Sequence, residues 1–374
     1  MGGVITGHRQ ARNRILIISA SVGAGHDGVA TELARRLRER GFQIELVDFL
    51  DLLPGVLGAA LRRAYALELA VAPSSWELLY TTLDRHRRLS AAVARLANLA
   101  RPRMVTALGA GCRAVVSTYP LASQVLGQLR RRGTLTTPVA TFLCDMSVHS
   151  LWVSAGVDAH LAMHKVTADQ ADALGAPGVL VTAPAIAPGF RPARSPAEVA
   201  AARARFGLPT DGKLALVLAG SWAVGKVERT VDEVAAAGAV LPVVVCGKNG
   251  GLHRRLARGG RCIPLRWVDD MPTLLHAADV VVHNAGGLSC QEALAAGVPV
   301  ITYRCIPGHG QTNVAALDLS GLVAHAPDVG DLHRLLGAAL ADELTEVQRS
   351  AAAALLAAPD PAAVIAALAV EPPA

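Results

Sequence analysis

Apolar residues along this chain gather in short runs, separated by glycine-rich turns and amphipathic stretches. Residues 15–20 (ILIISA) have the length and character of a buried strand. The turn Ser21-Val-Gly23-Ala-Gly25-His26 follows. From Asp27 to Arg40, Val29, Leu33 and Leu37 recur at helical spacing, and Gly41 stops the helix they predict. Residues 43–49 predict the next strand. Strand, turn, helix and strand in that order make a βαβ unit, so the sheet is expected to be parallel.

Residues 52–112 break the rhythm with an amphipathic, Arg-dotted helical insert that includes Arg62-Arg63 and Arg85-His86-Arg87-Arg88. The βα pattern then returns, with strands expected at 114–119, 138–145, 158–163 and 179–183 and a helix near 167–174. Prolines at 177, 184, 188, 192 and 196 mark a junction. Beyond it, strands are expected at 214–220, 241–247, 261–265, 279–283 and 298–302. The fold class is therefore α/β, with two Rossmann-like, doubly wound domains facing across a cleft. The expected domains are 1–187, with the insert at 52–112, then 188–350, then a C-terminal helical tail over 351–374. Ligands of such sheets bind beyond the carboxyl ends of the strands, at the point where strand order reverses.

Composition narrows the class. The 374 residues are 52% hydrophobic and 18% charged, which excludes intrinsic disorder. Mean hydropathy is +0.37, yet no run reaches the ~18 apolar residues of a spanning helix. Residues 351–370 come nearest and are interrupted by Pro359-Asp360-Pro361. The first residues hold no stretch suited to a signal peptide. The six cysteines form no CxxC pair, as expected of reduced thiols in the cytoplasm. The net charge of +6 is uneven: 20 Lys and Arg face 13 Asp and Glu in residues 1–187, and 16 face 17 in the rest. An anionic surface is thus expected to meet the first half. Nucleic acid is not the expected partner, because no aromatics interleave the Arg clusters and no recognition motif accompanies them.

Candidate chemistry lies at the predicted strand ends. Gly23 and Gly25 let a ligand approach the backbone, and His26 opens a helix where it can act on a hydroxyl. A tight connection would look the same. Asp145 ends an apolar strand, with His149 and Trp152 just beyond; the readings are a base facing a pocket or a cap on a turn. Residues 220–226 fit GxxxxGK, but Val227 stands where a P-loop needs Ser or Thr for Mg²⁺. After strand 279–283 come Asn284, Gly286, Gly287, Leu288 and Ser289, a seat for a diphosphate at a helix start. Glu292, one turn in, can accept bonds from two neighbouring hydroxyls. Gln311 and Asn313 follow in a Gly-rich loop, with amides suited to sugar hydroxyls.

These segments carry a resemblance. The chain resembles GT-B glycosyltransferases of family 28, above all the monogalactosyldiacylglycerol synthases and processive diacylglycerol glucosyltransferases. It is more distantly similar to the peptidoglycan N-acetylglucosaminyltransferase that acts on an undecaprenyl lipid. The matching segments are SVGAGH (21–26), CDMSVHSLW (144–152), APAIAPGF (183–190), RWVDDMPTLLHAADVVV (266–282), NAGGLSCQEALAAGVPVI (284–301) and PGHGQTN (307–313). Three positions depart from the lipid synthases' pattern: Gly310 replaces an acidic residue, Tyr119 stands for His before Pro120, and NAGGLS replaces a Lys-led turn.

The resemblance implies an inverting, metal-independent transfer of a hexose from a UDP-sugar to a lipid hydroxyl such as diacylglycerol. The enzyme would be peripheral on the cytoplasmic face of the cell membrane and would need no cofactor or metal. Asp145 and His26 take catalytic roles. Gly23, Gly25, Pro120, His149 and Trp152 meet the acceptor. Trp267 and Val268 flank the nucleobase, with Met271 beside them in the donor site. Gly220, Ser221, Asn284, Gly286, Gly287, Leu288 and Ser289 meet the diphosphate, Glu292 the ribose, and Gln311 and Asn313 the sugar. Two alternatives stand beside this reading. One is a GT-B transferase with a soluble or polyprenyl-linked acceptor and UDP-N-acetylglucosamine as donor. The other is a nucleotide-binding regulator without transferase activity.

Overall fold

The structure, a computed structural model, describes residues 13–21, 23–63, 87–109 and 111–370. The middle of the expected insert, with Arg85-His86, lies outside the described residues. The described chain divides into two compact units: residues up to Ala185 together with those from Ala357 onward, and Ile186–Leu356.

The first unit is built on β1 (Arg14–Ser19), β2 (Gln43–Asp48), β3 (Cys112–Ser117), β4 (Val139–Phe142), β5 (Ala159–Ala162) and β6 (Val179–Val181). All pairings are parallel and the order is β2-β1-β3-β4-β5-β6. Ile15 to Ile18 are wholly buried, because helices cover both faces of a parallel sheet. β2, at the edge, keeps polar Gln43 and Glu45 outward. The helices are α1 (Ala24–Glu39), α2 (Arg87–Ala97), α3 (Arg101–Leu108), α4 (Pro120–Arg131) and α5 (Lys165–Ala173). α1 starts three residues before the expected Asp27, which puts His26 inside its first turn. Val29, Leu33 and Leu37 line its buried face, as their spacing requires.

The second unit carries β7 (Leu214–Leu218), β8 (Leu241–Val245), β9 (Ile263–Leu265), β10 (Val280–His283), β11 (Val300–Tyr303) and β12 (Ala324–Ala326). Their order, β12-β11-β10-β7-β8-β9, is the doubly wound Rossmann order. β12 was not expected from the sequence: three residues with a central exposed His give no strand signal, and pairing with β11 alone defines it. The helices are α6 (Pro196–Arg205), α7 (Val227–Ala236), α8 (Gly250–Gly259), α9 (Met271–His276), α10 (Leu288–Ala295), α11 (His309–Leu319), α12 (Val329–Leu340) and α13 (Glu343–Leu356). On α13, Gln348 donates to the Val300 carbonyl and accepts from its N–H, at 2.8 and 2.7 Å. These bonds close the start of β11.

The expected separate tail over 351–374 does not form. α13 ends at Leu356 in the second unit, and α14 (Pro361–Val370) belongs to the first, packed on α1 and β3. Asp360 accepts from Arg36 and Arg40, and the Ala183 N–H donates to the Pro359 carbonyl at 2.8 Å. Within residues 343–370, an 18-residue window reaches a mean hydropathy of 1.9, enough for a membrane span by composition. They form two helices of 14 and 10 residues, each short of the ~20 a span needs.

Ile365 of α14 is wholly buried and Val370 is 68% exposed. Ile365→Ala is expected to cost about 2–5 kcal/mol of stability through lost burial and a cavity. Val370→Ala should cost less than about 0.5 kcal/mol. Chemical denaturation of the full chain measures both, and equal effects would mean that α14 is not docked.

Candidate functional site

Each sheet is parallel, so every β-to-α loop leaves the same edge. In the first unit, the helices after β1 and β3 depart to opposite sides, because β2 and β3 flank β1. The reversal opens a crevice there. His26, in the first turn of α1, donates Nδ1–H to the Thr118 carbonyl beyond β3, at 2.8 Å. That assignment leaves Nε2 with its lone pair free to accept a proton. The Cys144 thiol donates to the same carbonyl at 3.4 Å, so one oxygen ties the loops after β1, β3 and β4. Gly23 precedes α1 in extended backbone, and Pro120 opens α4 with no N–H to leave unpaired.

Asp145 stands three residues past the end of β4 and is half-buried. Cys144 beside it is buried, and its thiol pKa is raised, first by desolvation and then by the Asp145 charge. His149 caps the short turn Ser150–Trp152 by accepting the Leu151 N–H at 3.3 Å. Gln124 holds that turn from α4 through the carbonyls of Leu151 and Val153, at 2.9 and 2.7 Å. The Trp152 ring lies 6.0 Å from His26 and 6.2 Å from His149. It is wholly buried and packs between the two histidines. Its Nε1–H and the Thr118 hydroxyl are buried with no hydrogen-bond partner among the described residues.

Arg62, from the insert, was not expected at this edge. Its guanidinium bonds Ser21 at 2.7 Å, Asp48 at 2.9 Å and Asp51 at 3.1 Å. Part of the basic excess of this half is thus neutralised within the fold, bracing the Gly-rich turn.

In the second unit the reversal falls between β7 and β10. The loop after β7 contains three left-handed residues, Gly220, Ala223 and Gly225. Asn284, after β10, donates Nδ2–H to the Val224 carbonyl at 2.8 Å, locking the two loops together. A Cβ on Gly225 would lie 3.0 Å from that amide, and one on Gly286 would lie 2.9 Å from Leu317 and 3.2 Å from the Asn313 Cβ. Gly286 is also left-handed, so glycine is demanded twice over. Gly287 precedes α10, whose first N–H groups, at Leu288 and Ser289, point out of the helix start unpaired with its interior. Glu292, one turn on, meets no donor among the described residues, and desolvation raises its pKa to about 7.

The segment after β11 closes on this turn. The Ile306 N–H donates to the Asn284 carbonyl at 2.7 Å, and Gly310 packs on Ile306 and Ala285. Residues 309–313, expected as a loop, are the first turn of α11. Gln311 is exposed there. Asn313 is wholly buried behind Gly286. After β9, Trp267 is 46% exposed and donates Nε1–H to Asp269 at 2.9 Å. Val268 is half-buried, and Met271 opens α9. A depression of about 680 Å³ lined by Lys213, Asp232 and Arg261 lies at the opposite edge, by the starts of β7 and β8, and contains no candidate residue.

Two supports were missed from sequence. His283, wholly enclosed, accepts the N–H groups of Ala285 and Gly286 on Nδ1, at 2.9 and 3.1 Å. Desolvation lowers its pKa to about 4, so the ring is neutral and able to accept. Arg304, left-handed at the end of β11, is held by Glu233 on α7 through two bonds of 2.7 and 2.6 Å, and Tyr303 donates to the same carboxylate at 2.8 Å. A His ending an apolar strand was the only visible signal for the first; the second joins residues 71 apart. His283→Leu should destabilise the protein by about 1–3 kcal/mol by orphaning buried N–H groups. His283→Asn, which keeps an acceptor, should recover part of that loss in the same denaturation assay.

Residues 26–182 match the family described as monogalactosyldiacylglycerol (MGDG) synthase, and residues 239–355 match glycosyl transferases group 1. The chain is 26% identical over 365 residues to a processive diacylglycerol beta-glucosyltransferase of Bacillus mycoides, covering 93% of this chain and 91% of that one. It is 25% identical over 311 residues to the Bacillus subtilis enzyme of the same name, covering 80% of each. Among solved structures it is similar in fold to Anabaena Alr3699/HepE in complex with UDP-glucose, at a TM-score of 0.59 and 15% identity over 95% of this chain and 98% of that one. Acinetobacter baumannii MurG matches at a TM-score of 0.55 and 15% identity, over 95% and 99%. With the doubly wound sheets and the loops at their carboxyl edges, these matches show a chain of GT-B fold that is a hexosyltransferase and is similar to the glycosyltransferases of family 28.

Proposed function

We propose that this enzyme transfers a hexose from a UDP-sugar to a lipid hydroxyl, with inversion and without a metal, while peripheral on the cytoplasmic face of the membrane. The observation that carries the donor half is the turn Asn284–Gly287 leading into α10, with the unpartnered Glu292 carboxylate one turn beyond. Free N–H groups at a helix start suit a diphosphate, and a desolvated carboxylate suits a pair of ribose hydroxyls. Trp267 and Val268 would flank the base, with Met271 beside them. The relatives named for diacylglycerol glucosylation support the lipid acceptor.

In this reading the Asp145 carboxylate takes the acceptor's hydroxyl proton as that oxygen attacks the anomeric carbon. The bond from that carbon to the diphosphate breaks, and its electron pair leaves with UDP. N–H donors and the positive end of α10 receive the developing charge. Gly310 bears on which sugar is taken: a Cβ there would already crowd Ile306 at 3.1 Å, so the α11 turn admits no acidic side chain at this position without shifting.

Membrane attachment is supported by α2, α3 and the residues between them. Leu96, Leu99 and Val105 are exposed beside Arg95, Arg101 and Arg103, none of which has an acidic partner among the described residues. Apolar side chains flanked by guanidinium groups suit an anionic bilayer surface.

The decisive experiment incubates the pure protein with membrane lipid extract and each UDP-sugar separately. A glycosylated lipid is expected; a product only on a soluble or polyprenyl-linked acceptor would favour that rival, and none with any acceptor would favour a regulator. Asp145→Asn should lower transfer by about 10²–10⁴-fold with UDP binding kept. Retention of a tenth of the wild-type turnover would remove Asp145 as base.

Glu292 gives a pH signature. Ribose hydroxyls bond the ionised carboxylate, so binding favours the form that dominates above pH 7. Uridine, which has no phosphate to titrate, should bind more tightly at pH 8 than at pH 6. The dependence should vanish in Glu292→Gln, with calorimetry as the measure.

A further inference from the structure

The chain has four lysines, and two of them are neutralised within the second unit's lower edge and the first unit's surface: Lys213 pairs with Asp279 at 2.9 Å and Lys165 with Asp169 at 2.7 Å. Lys226 and Lys248 have no acidic partner among the described residues. Lys248 lies in the loop after β8, next to the strand that carries Gly220 and Ser221. Its ammonium stands 5.4 Å from the ring centroid of Trp222 and 5.4 Å from that of Trp267. Aromatic residues make up only 3% of the sequence, and two of its four tryptophans converge on this one cation.

The backbone holds the lysine at the donor turn. The Lys248 N–H donates to the Ser221 carbonyl at 2.9 Å. Gly247 before it is left-handed, and a Cβ there would lie 2.3 Å from that same carbonyl, so the two loops touch only because residue 247 is glycine. Asn249 after it donates to the Trp222 carbonyl at 3.4 Å and caps α8. The main chain at 248 is thus fixed against the Gly220–Gly225 loop, while the four-carbon stem keeps the ammonium free to move.

What holds the ammonium is weak. Attraction to the faces of one exposed and one half-buried indole is small beside a charge-assisted bond to phosphate. Besides neutral N–H groups this edge offers a second unpaired lysine, Lys226 at the start of α7, but only Lys248 has its backbone bonded to Ser221 and its ammonium between two indoles.

We propose that Lys248 is the mobile cation of the donor site, held between Trp222 and Trp267 in the free protein and drawn onto the diphosphate when a nucleotide binds, which frees a face of Trp267 for the base. This rests on the reading of the second unit as a UDP-sugar site, and it adds a residue and a motion that the resemblance did not assign. The proposal makes Lys248 a binding residue for the phosphates alone. It predicts different consequences for ligands with and without them.

The test is calorimetric titration of UDP and of uridine into wild-type, Lys248→Met and Lys248→Arg full-length protein, with thermal unfolding of each to compare their folds. Lys248→Met keeps the stem and removes the charge. It should weaken UDP at least tenfold and leave uridine within twofold of wild type, and Lys248→Arg should fall between. UDP should also shift the tryptophan emission of the wild type, as the cation leaves the indoles. If wild type binds UDP and Lys248→Met binds it within twofold, the role of Lys248 is overturned while the donor-site reading stands. Equal weakening of UDP and uridine would overturn it too, making the lysine a structural brace. If wild type binds neither ligand, the UDP reading itself falls and the lysine's role with it.

Discussion

The reversal of strand order in a parallel sheet is the constraint on which the rest of this molecule depends. Helices that leave adjacent strands toward opposite faces cannot cover the sheet edge between them, so that edge stays open. Both units solve the consequence alike. In the first, His26 from one side of the reversal donates to the Thr118 carbonyl on the other, at 2.8 Å. In the second, Asn284 donates to the Val224 carbonyl, also at 2.8 Å. Each bond joins two loops that would otherwise end in unpaired backbone groups, and each holds chemically useful side chains at the opening. The same geometry leaves helix starts facing outward, where their unpaired N–H groups can receive an anion.

Desolvation tunes the groups that gather there. His283 is kept neutral by burial and so can accept two backbone N–H groups, which a protonated ring could not. Glu292 is raised to about 7 by the same cause, but with no internal donor to satisfy it. The two cases differ in what the fold supplies. The histidine is spent on shape, and the carboxylate meets no donor among the described residues. Glycine serves the same end: at 225, 247 and 286 a side chain would collide with the neighbouring loop. The close contact of three loops therefore depends on missing Cβ atoms as much as on hydrogen bonds.

Charge is distributed less simply than the overall balance suggests. The first half is basic, yet Arg14, Arg36, Arg40, Arg62 and Arg130 are each paired with a carboxylate inside the unit. Among the described residues, the arginines without a carboxylate partner include Arg95, Arg101 and Arg103 on α2 and α3, beside exposed leucines. Sequence arithmetic counts formal charges; only contacts tell which are already neutralised. Burial is likewise not written in chain order: Trp152 and Asn313 are both wholly enclosed.

The sequence by itself determined the alternation of strands and helices and the residues at the carboxyl ends of the strands. These are local properties: an apolar run, a helical spacing and a glycine turn each involve near neighbours in the chain. It also carried the family resemblance, which the chain's relatives bear out. Tertiary structure decided what depends on strand order and burial. It added β12 through pairing alone, returned α14 to the first unit, buried Trp152 and Asn313, set the Glu292 carboxyl apart from every donor among the described residues, and brought Trp222, Lys248 and Trp267 together from three separate loops. Neighbours along a chain are written in its order, but neighbours across a sheet edge exist only once the strands have chosen their places.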